Sequence, residues 1–357
     1  MADTENWEAI YQDTRVPAAG PALTGFNVNI DQIITMTPQL LDHLNSSGGK
    51  LAGLRSRLIH AMEQCTAEEW IPDDMEVYEE ITTFFSRYGS TALGGQAGIA
   101  AVHLKSLGIP EVFCIAPAMG EQTAGLVRAG GAAIPGTVSG RDMVHTILEY
   151  PPGLVPPAPG TVPRNNRFII SPQKSAATIL LPKSDMVAIR ERVSSCTRAF
   201  LSGYQYLSTI PEFSTAADQI RALKEANTAL RVHIECVSVA DRRVNDGIVK
   251  HILPAADSAG MNEHELTLLT GKQGDKSPAG RMQEILDLAR ATDLSRIHLH
   301  TYGYYLLVIK KSQAPPESSR AALLHAARVV ARVAGRKSAG ITPEGIAAVM
   351  EVADTFP

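Results

Sequence analysis

The feature that most limits the fold is a regular alternation of strand-like and helix-like segments. Short apolar runs rich in β-branched residues alternate with longer segments whose apolar residues recur at helical spacing. This order is typical of an α/β fold with a largely parallel sheet covered by helices on both faces. The predicted strands are Thr24–Ile30, Val112–Ile115, Phe168–Ser171, Thr178–Leu181, Ala199–Leu207, Val232–Val237, Ile297–His300 and Tyr304–Ile309. The predicted helices are Pro38–Glu63, Met186–Cys196, Ser214–Ala229, Asp241–His251, Ala279–Ala291 and Ser319–Val333.

Composition narrows the class of protein. The 357 residues, 45% of them hydrophobic and 20% charged, suffice for one large domain with a smaller appendage or for two domains. A net charge of -4 gives no basic surface for nucleic acid, and no apolar run is long enough for a membrane helix. The acidic N-terminus lacks the pattern of a secretory signal, so we expect a cytoplasmic protein. We also expect a monomer or a small homo-oligomer. The four cysteines are too widely spaced for a metal or redox pair and are predicted to be buried thiols.

Two motifs in the first third of the chain could bind a polar ligand. In Gly25–Asp31 the alternation puts Asn27, Asn29 and Asp31 on one side of a strand. Such side chains suit a sugar, because a carboxylate accepts two hydroxyl hydrogen bonds and an amide both donates and accepts. The alternative is an edge strand with a solvated face. The second motif, Gly94–Ile99, leads glycines into a helical pattern, which offers backbone amides to a ligand or simply makes a tight turn.

A second group of polar residues lies in the C-terminal half. His233 and Glu235 share one face of a predicted strand, and Asn262 and Glu265 lie one helical turn apart. Carboxylates at the edge of a sheet suit Mg²⁺, which is held by one or two of them together with water and phosphate oxygens. Asn262 is equally suited to cap a helix.

Together these motifs resemble the archaeal ADP-dependent glucokinase and phosphofructokinase family, a branch of the ribokinase-like sugar kinases. The resemblance implies a ribokinase-like α/β fold, with a mainly parallel central sheet flanked by helices and a small β-rich lid. It implies transfer of the β-phosphoryl group of ADP to a hydroxyl of a sugar or sugar phosphate, with Mg²⁺ as cofactor and release of AMP. The expected large domain comprises residues 1–35, 89–135 and 183–357, and the expected lid comprises residues 36–88 and 136–182.

The resemblance also implies the roles of individual residues. The motif Asn-Arg-Phe-Ile, residues 166 to 169, supplies an arginine whose planar fork suits the nucleotide phosphates. The expected sugar-binding residues are Asn29, Asp31, Gly94, Gly95 and His145; the expected nucleotide-binding residues are Arg167 and His300; the expected metal residues are Glu235 and Glu265.

One element of the family is missing from the sequence. The 357 residues contain no Gly-x-Gly-Asp, the segment in which the family keeps its catalytic aspartate, and Gly274-Asp275 lies in a polar loop. Two explanations are considered: a truncated chain, or a homologue that binds sugar or nucleotide without turnover. A further alternative for the function is a metal-dependent hydrolase that uses His298 and His300. The alternative for the two histidines themselves is that they are partly buried residues of a strand with no ligand.

The acceptor stays open. A sugar phosphate would need basic residues, for which Arg164, Lys174 and Lys183 are candidates near the lid. A glucokinase would favour a lid carboxylate, which Glu68 or Glu69 could provide. Asp142 stands where glucokinases of the family carry glutamine, which weakens the case for glucose.

Overall fold

The structure is a computed structural model of the chain. It describes residues 19–117, 119–138, 140–154, 162–173, 179–272, 274–301, 304–310 and 315–334. The described residues form two sheets, each with its own helices and apolar core. The predicted α/β fold with a mainly parallel central sheet and a small β-rich part is therefore confirmed. None of the helices in these ranges is long and apolar enough to cross a membrane.

The larger sheet has seven strands, in the order β12-β11-β10-β9-β8-β1-β5. All neighbours are parallel except β12, which pairs antiparallel with β11. Its strands are β1 (Ala22–Gly25), β5 (Val112–Ile115), β8 (Arg198–Leu201), β9 (Arg231–Glu235), β10 (Ser258–Asn262), β11 (Arg296–His300) and β12 (Tyr305–Ile309).

The smaller sheet is mixed and has five strands, in the order β3-β7-β6-β2-β4. Its strands are β2 (Asn29–Thr35), β3 (Glu68–Trp70), β4 (Ser90–Gly94), β6 (Val144–Tyr150) and β7 (Asn166–Ile170). One face packs on helices that precede β4, with Leu54, Ile81, Phe85 and Phe168 fully buried between them.

The helices pack on the two sheets and carry ordinary capping signals. Thr209, for example, begins a helix with a capping box, in which its side chain and that of Glu212 satisfy each other's backbone amides. The helices are α1 (Pro38–Ser46), α2 (Leu51–Gln64), α3 (Met75–Phe85), α4 (Gln96–Ser106), α5 (Glu121–Ala129), α6 (Lys183–Val193), α7 (Ile210–Ala226), α8 (Arg242–Gly247), α9 (Glu263–Thr270), α10 (Pro278–Thr292) and α11 (Pro316–Ala334). Short 3₁₀ turns occupy Tyr204–Tyr206 and Leu253–Ala255, and a π-helical turn occupies Ile248–Ile252.

Several predicted elements are corrected by the structure. The predicted strand Thr24–Ile30 is wrong, because β1 ends at Gly25 and β2 begins at Asn29 in the other sheet. The hydrogen-bond partners explain the break: the Phe26 amide donates to Ser202 beside the larger sheet, whereas the Ile30 amide donates to Met143 beside the smaller one. The chain therefore crosses between the sheets at the predicted sugar motif.

Other boundaries differ for local reasons. The predicted strand from Ala199 ends at Leu201, because Gly203 adopts a left-handed φ of 106° and a 3₁₀ turn follows. Residues 179–181 of another predicted strand are not in a strand, and Thr178 lies outside the described residues. The long helix predicted from Pro38 is two helices, α1 and α2, separated by a turn at Gly49 and Lys50.

The predicted domain boundaries remain a prediction, but strand membership differs from them in two places. Residues 29–35 and 90–94 were assigned to the large domain, and both segments are strands of the smaller sheet. Strands β3, β4 and β10 were not predicted. The four cysteines are buried thiols, as expected.

Candidate functional site

The first part of the site lies where the chain passes from the larger sheet to the smaller one. The Asn29 side-chain amide donates to Asp31 Oδ1 over 2.6 Å, and Asn29 is almost fully buried. The Tyr206 hydroxyl donates to Asn27 Oδ1 over 3.4 Å. Asn27 and Asn29 are thus buried and Asp31 is half-buried, so the predicted polar group is not a solvated edge.

Glycines at the end of β4 leave room for this polar group. A Cβ atom at Gly94 would overlap the Asp31 carboxylate and the Asn29 amide. Gly95 has a left-handed φ of 74°, and a Cβ there would lie 2.7 Å from Asn29 Oδ1. The two glycines therefore pack directly on the two polar side chains. These four residues, Asn29, Asp31, Gly94 and Gly95, are called the clamp below.

His145 and Arg167 act on the clamp from neighbouring strands. His145 is the register partner of Asp31 across the parallel pair β2 and β6. Burial raises the pKa of Asp31, and the charges of His145 and Arg167, together with the hydrogen bond from Asn29, oppose that shift. The structure thus brings both predicted residues to the acidic end of the clamp. Arg167 was predicted to bind the nucleotide, and the charge on which it acts here is that of Asp31, which was predicted to bind the sugar.

The second part of the site lies along β9, β10 and β11, and includes the last residues of β9 and β11, Glu235 and His300. His233 Nε2 lies 3.2 Å from Glu235 Oε2, and His233 Nδ1 lies 2.8 Å from Ser258 Oγ. His300 Nε2 lies 4.0 Å from Glu235 Oε1. The predicted convergence of these motifs at one sheet edge is what the structure shows.

Gly260 is part of this edge, and no sequence motif predicted it. It lies in register with Glu235 on one neighbouring strand and with His298 on the other. A Cβ atom at Gly260 would overlap Glu235 Oε2 and lie 2.9 Å from His233 Nε2. Only a glycine at this position leaves the Glu235 carboxylate where it is.

Glu265 is both a capping residue and an acid with a shifted pKa. Its Oε2 accepts from the Asn262 amide over 2.8 Å, and the Asn262 side chain accepts from the amides of His264 and Glu265. Asn262 is therefore a helix cap, the simpler of its two interpretations. Burial and then the charge of Glu235 raise the pKa of Glu265 to about 7, against the opposing hydrogen bond from Asn262. A nearby cation would relieve that repulsion.

The two histidines of β11 differ in their surroundings. Burial lowers the pKa of His298 to about 4, and the charges of Arg296 and His300 add to the effect. The His298 ring stacks edge-on against Tyr305, with 5.4 Å between ring centroids. His298 is thus a partly buried strand histidine held neutral near pH 7, whereas His300 faces Glu235.

One side chain joins the two parts of the site. Gln96, the first residue of α4 after the clamp glycines, donates from Nε2 to the carbonyl of Cys236 over 3.3 Å. Cys236 directly follows Glu235 at the end of β9. This hydrogen bond therefore links the residue after Gly95 of the clamp to the residue after Glu235. Glu235 and Glu265, with the strand ends around them, are called the carboxylate edge below.

The residues considered for the lid divide into two groups. Glu68 forms an ion pair with Arg57 at 3.3 Å. Glu69 accepts from the Ser171 hydroxyl over 2.8 Å. Burial first, then the charges of Glu69 and Asp31, raise the pKa of Tyr206. Of the two acids, Glu69 is therefore the one whose charge acts on Tyr206, the tyrosine that donates to Asn27.

The basic residues considered for binding the phosphate of a sugar phosphate have no described contact with the clamp. Arg164 lies 3.5 Å from the carbonyl of Cys65 in the smaller sheet's core region, and Lys183 begins α6 and is exposed. Lys174 lies outside the described residues. Asp275 accepts from the amide and hydroxyl of Ser277 in the turn before α10, which is a structural role.

The donor set fits a magnesium ion. Among the residues that the structure describes, no group of three or more His, Cys, Asp or Glu side chains forms a ready metal site. Mg²⁺ needs only one or two carboxylates, since waters and substrate phosphates complete its shell. Glu235 and Glu265 supply two carboxylates. The charged form of Glu265 is disfavoured by burial and by the charge of Glu235.

The architecture is that of the ribokinase-like kinases. A ribokinase from Giardia lamblia matches with a TM-score of 0.50 at 13% identity, covering 93% of this chain and 90% of the other. A hypothetical ADP-dependent phosphofructokinase from Pyrococcus horikoshii OT3 matches more fully, with a TM-score of 0.76 at 21% identity, covering 96% and 86%. An ADP-dependent kinase in complex with fructose-6-phosphate and ADPβS has a TM-score of 0.76 at 22% identity, covering 97% and 80%.

Sequence comparison identifies the family. Residues 21–355 match the family described as the ADP-specific phosphofructokinase/glucokinase conserved region, so the chain belongs to this family of ADP-dependent sugar kinases. The ADP-dependent glucose/glucosamine kinase of Pyrococcus furiosus is 26% identical over 91% of this chain and 81% of its own length. The ADP-specific phosphofructokinase of Methanosarcina acetivorans is 24% identical over 87% and 75%. A probable ADP-dependent glucokinase of Caenorhabditis elegans is 27% identical over 90% and 70%.

Proposed function

We propose that this protein transfers the β-phosphoryl group of ADP to a hydroxyl of a hexose and releases AMP, with Mg²⁺ as cofactor. The observation that carries the proposal is the hydrogen bond from Gln96 to Cys236, because it sets a hydroxyl-binding clamp beside a pair of carboxylates. Phosphoryl transfer needs this arrangement: an acceptor hydroxyl, the phosphates and the charges that neutralise them must be held together.

Each part of the site has a distinct role in this proposal. Asp31 accepts hydrogen bonds from sugar hydroxyls, Asn29 accepts and donates them, and the charges of His145 and Arg167 oppose the rise in the pKa of Asp31 that burial causes. Glu235 and Glu265 would hold Mg²⁺, which when bound neutralises phosphate charge. His300, beside Glu235, offers a ring nitrogen to the diphosphate. We assign no general base, because the sequence contains no Gly-x-Gly-Asp.

The lid carboxylate favours an unphosphorylated sugar. Glu69 and Asp31 both act on Tyr206, so a phosphate bound there would meet two carboxylates and one nearby guanidinium, that of Arg167. A neutral hexose or a hexosamine, whose ammonium group is attracted to a carboxylate, suits this surface better. We therefore place hexoses and hexosamines before sugar phosphates as acceptors.

The test is an AMP-release assay with ADP and a panel of glucose, glucosamine and fructose 6-phosphate. We expect release with a hexose or hexosamine, and Glu69→Gln to reduce it, while Glu68→Gln, whose carboxylate is paired with Arg57, leaves it unchanged. Release only with fructose 6-phosphate would contradict the acceptor assignment. Binding of ADP and sugar by calorimetry without any AMP would favour a non-catalytic homologue. Zinc retained through dialysis would favour the hydrolase alternative.

A further inference from the structure

Asp142 caps a helix that lies far from it in the sequence. Its Oδ1 accepts from the amide of Thr123 over 2.8 Å and from the hydroxyl of Thr123 over 2.5 Å, and its Oδ2 lies 3.3 Å from the donating amide of Gln122. Helix α5 has a glycine, Gly120, at its own N-cap position and so has no side-chain cap of its own. A Cβ atom at Gly120 would lie 2.5 Å from Asp142 Cγ, so the close approach depends on that glycine.

The helix held by Asp142 is fixed in the core of the larger sheet. Thr123, Ala124 and Val127 of α5 are fully buried. Ala124 and Val127 share an apolar cluster with Val28, which lies in the crossing segment of the clamp, and with Ala97 of α4. Asp142 is thus attached to the same packed body that carries the clamp glycines.

On its other side, Asp142 leads directly into β6. The carbonyl of Met143 accepts from the amide of Ile30 over 2.8 Å, and the carbonyl of Val144 accepts from the Tyr78 hydroxyl over 2.6 Å. Three residues after Asp142, His145 lies in register with Asp31 on the neighbouring strand. The entry of β6 is therefore fixed to α5 by one side chain and to the smaller sheet by its backbone.

We propose that Asp142 is a positioning residue: by capping α5 it sets the start of β6 and so places His145 beside Asp31 for acceptor binding. This inference rests on the proposed role of Asp31 and His145 in holding the sugar. Both oxygens of Asp142 are engaged by α5, so this side chain acts through His145 and is not a direct contact that selects glucose.

The test compares Asp142→Ala, Asp142→Asn and Thr209→Ala. Thr209 caps α7, where its hydroxyl accepts from the amide of Glu212, so its loss is a matched removal of a helix cap. We expect Asp142→Ala to raise the KM or Kd for the hexose about 10-fold or more while leaving that for ADP unchanged. Asn caps helices about as well as Asp, so Asp142→Asn should remain within about threefold of the wild type. Thr209→Ala should lower Tm without changing hexose affinity.

Hydrogen exchange gives a readout that needs no ligand. In Asp142→Ala, exchange should become faster both in the first turn of α5 and in the peptide covering residues 143–150, because the two segments share this contact. Faster exchange in α5 alone, or an unchanged hexose affinity in a variant that is otherwise active, would overturn the inference. Failure of the proposed function is a separate result: the wild type would then bind no hexose, and exchange in β6 would still decide the role of Asp142.

Discussion

Glu265 offers a direct test of the electrostatics at the carboxylate edge. Its pKa is about 7 in the folded protein against an ordinary 4.5, because burial and then Glu235 oppose its charge. Between these two pH values the folded protein binds the proton more tightly than the unfolded chain, so stability falls as the pH rises through this window. Each pH unit is worth about 1.36 kcal/mol. The ionised side chain therefore costs about 3 kcal/mol of folding free energy at pH 8.

We predict that Glu265→Gln stabilises the protein at pH 8 and has little effect at pH 4.5. Glutamine keeps the hydrogen bond to the Asn262 amide, since either residue completes a capping box, and it removes the buried charge. The gain of about 3 kcal/mol corresponds to a rise in Tm of roughly 4 °C for a chain of this length. Thermal unfolding should be followed between pH 4.5 and 8 in a chelating buffer, because a bound divalent cation would favour the charged glutamate.

Glu212→Gln is the matched control. Glu212 occupies the same position of a capping box in α7, but hydrogen bonds from Ser208 and Thr209 lower its pKa. The same chemical change should therefore give no gain at pH 8. The electrostatic reasoning is refuted if Glu265→Gln does not exceed the wild type in Tm at pH 8, or if the two variants gain equally.

Three further predictions concern the site. Gly94→Ala should reduce hexose affinity at least 10-fold in calorimetry and leave ADP binding intact, because the new methyl group overlaps Asp31; an unchanged hexose affinity would remove the clamp from the acceptor site. Gly260→Ala should weaken binding of Mg²⁺-ADP and spare the hexose, since it displaces Glu235; the opposite pattern would place Glu235 in the sugar site. Arg167→Lys should weaken ADP binding about 10-fold if the guanidinium forks over two phosphate oxygens, and equal ADP affinity would assign Arg167 to Asp31 alone.

The clamp shows how far sequence reasoning reaches and where it stops. Asn29 and Asp31 were found because their spacing puts both side chains on one face of an extended segment, a property of the backbone itself. The end of β1 at Gly25 was not found, because an extended chain looks the same whichever sheet it bonds to. The partners that divide the segment, Ser202 and Met143, come from distant parts of the chain.

Residues that the sequence does not distinguish can lie in different environments in the structure. Glu68 and Glu69 are adjacent acids, and only the pairing of β3 with β7 decides that Glu69 meets Ser171 while Glu68 meets Arg57. The motif of Asn262 and Glu265 predicted either a helix cap or a metal site. The capping box settles the first, and the shifted pKa of Glu265 arises from Glu235 on another strand, which no local pattern reveals.

The sequence by itself determined the α/β class, the positions of most elements and the motifs that place the chain among the ADP-dependent sugar kinases. These follow from side-chain periodicity and short motifs, which are local properties of the chain. Only the tertiary structure decided where the chain changes sheets, which carboxylate faces the clamp, why residue 260 is glycine and that Asp142 reaches back to α5. Those outcomes depend on strand register and on the burial of charge by distant segments, and neither is encoded in any single stretch of sequence.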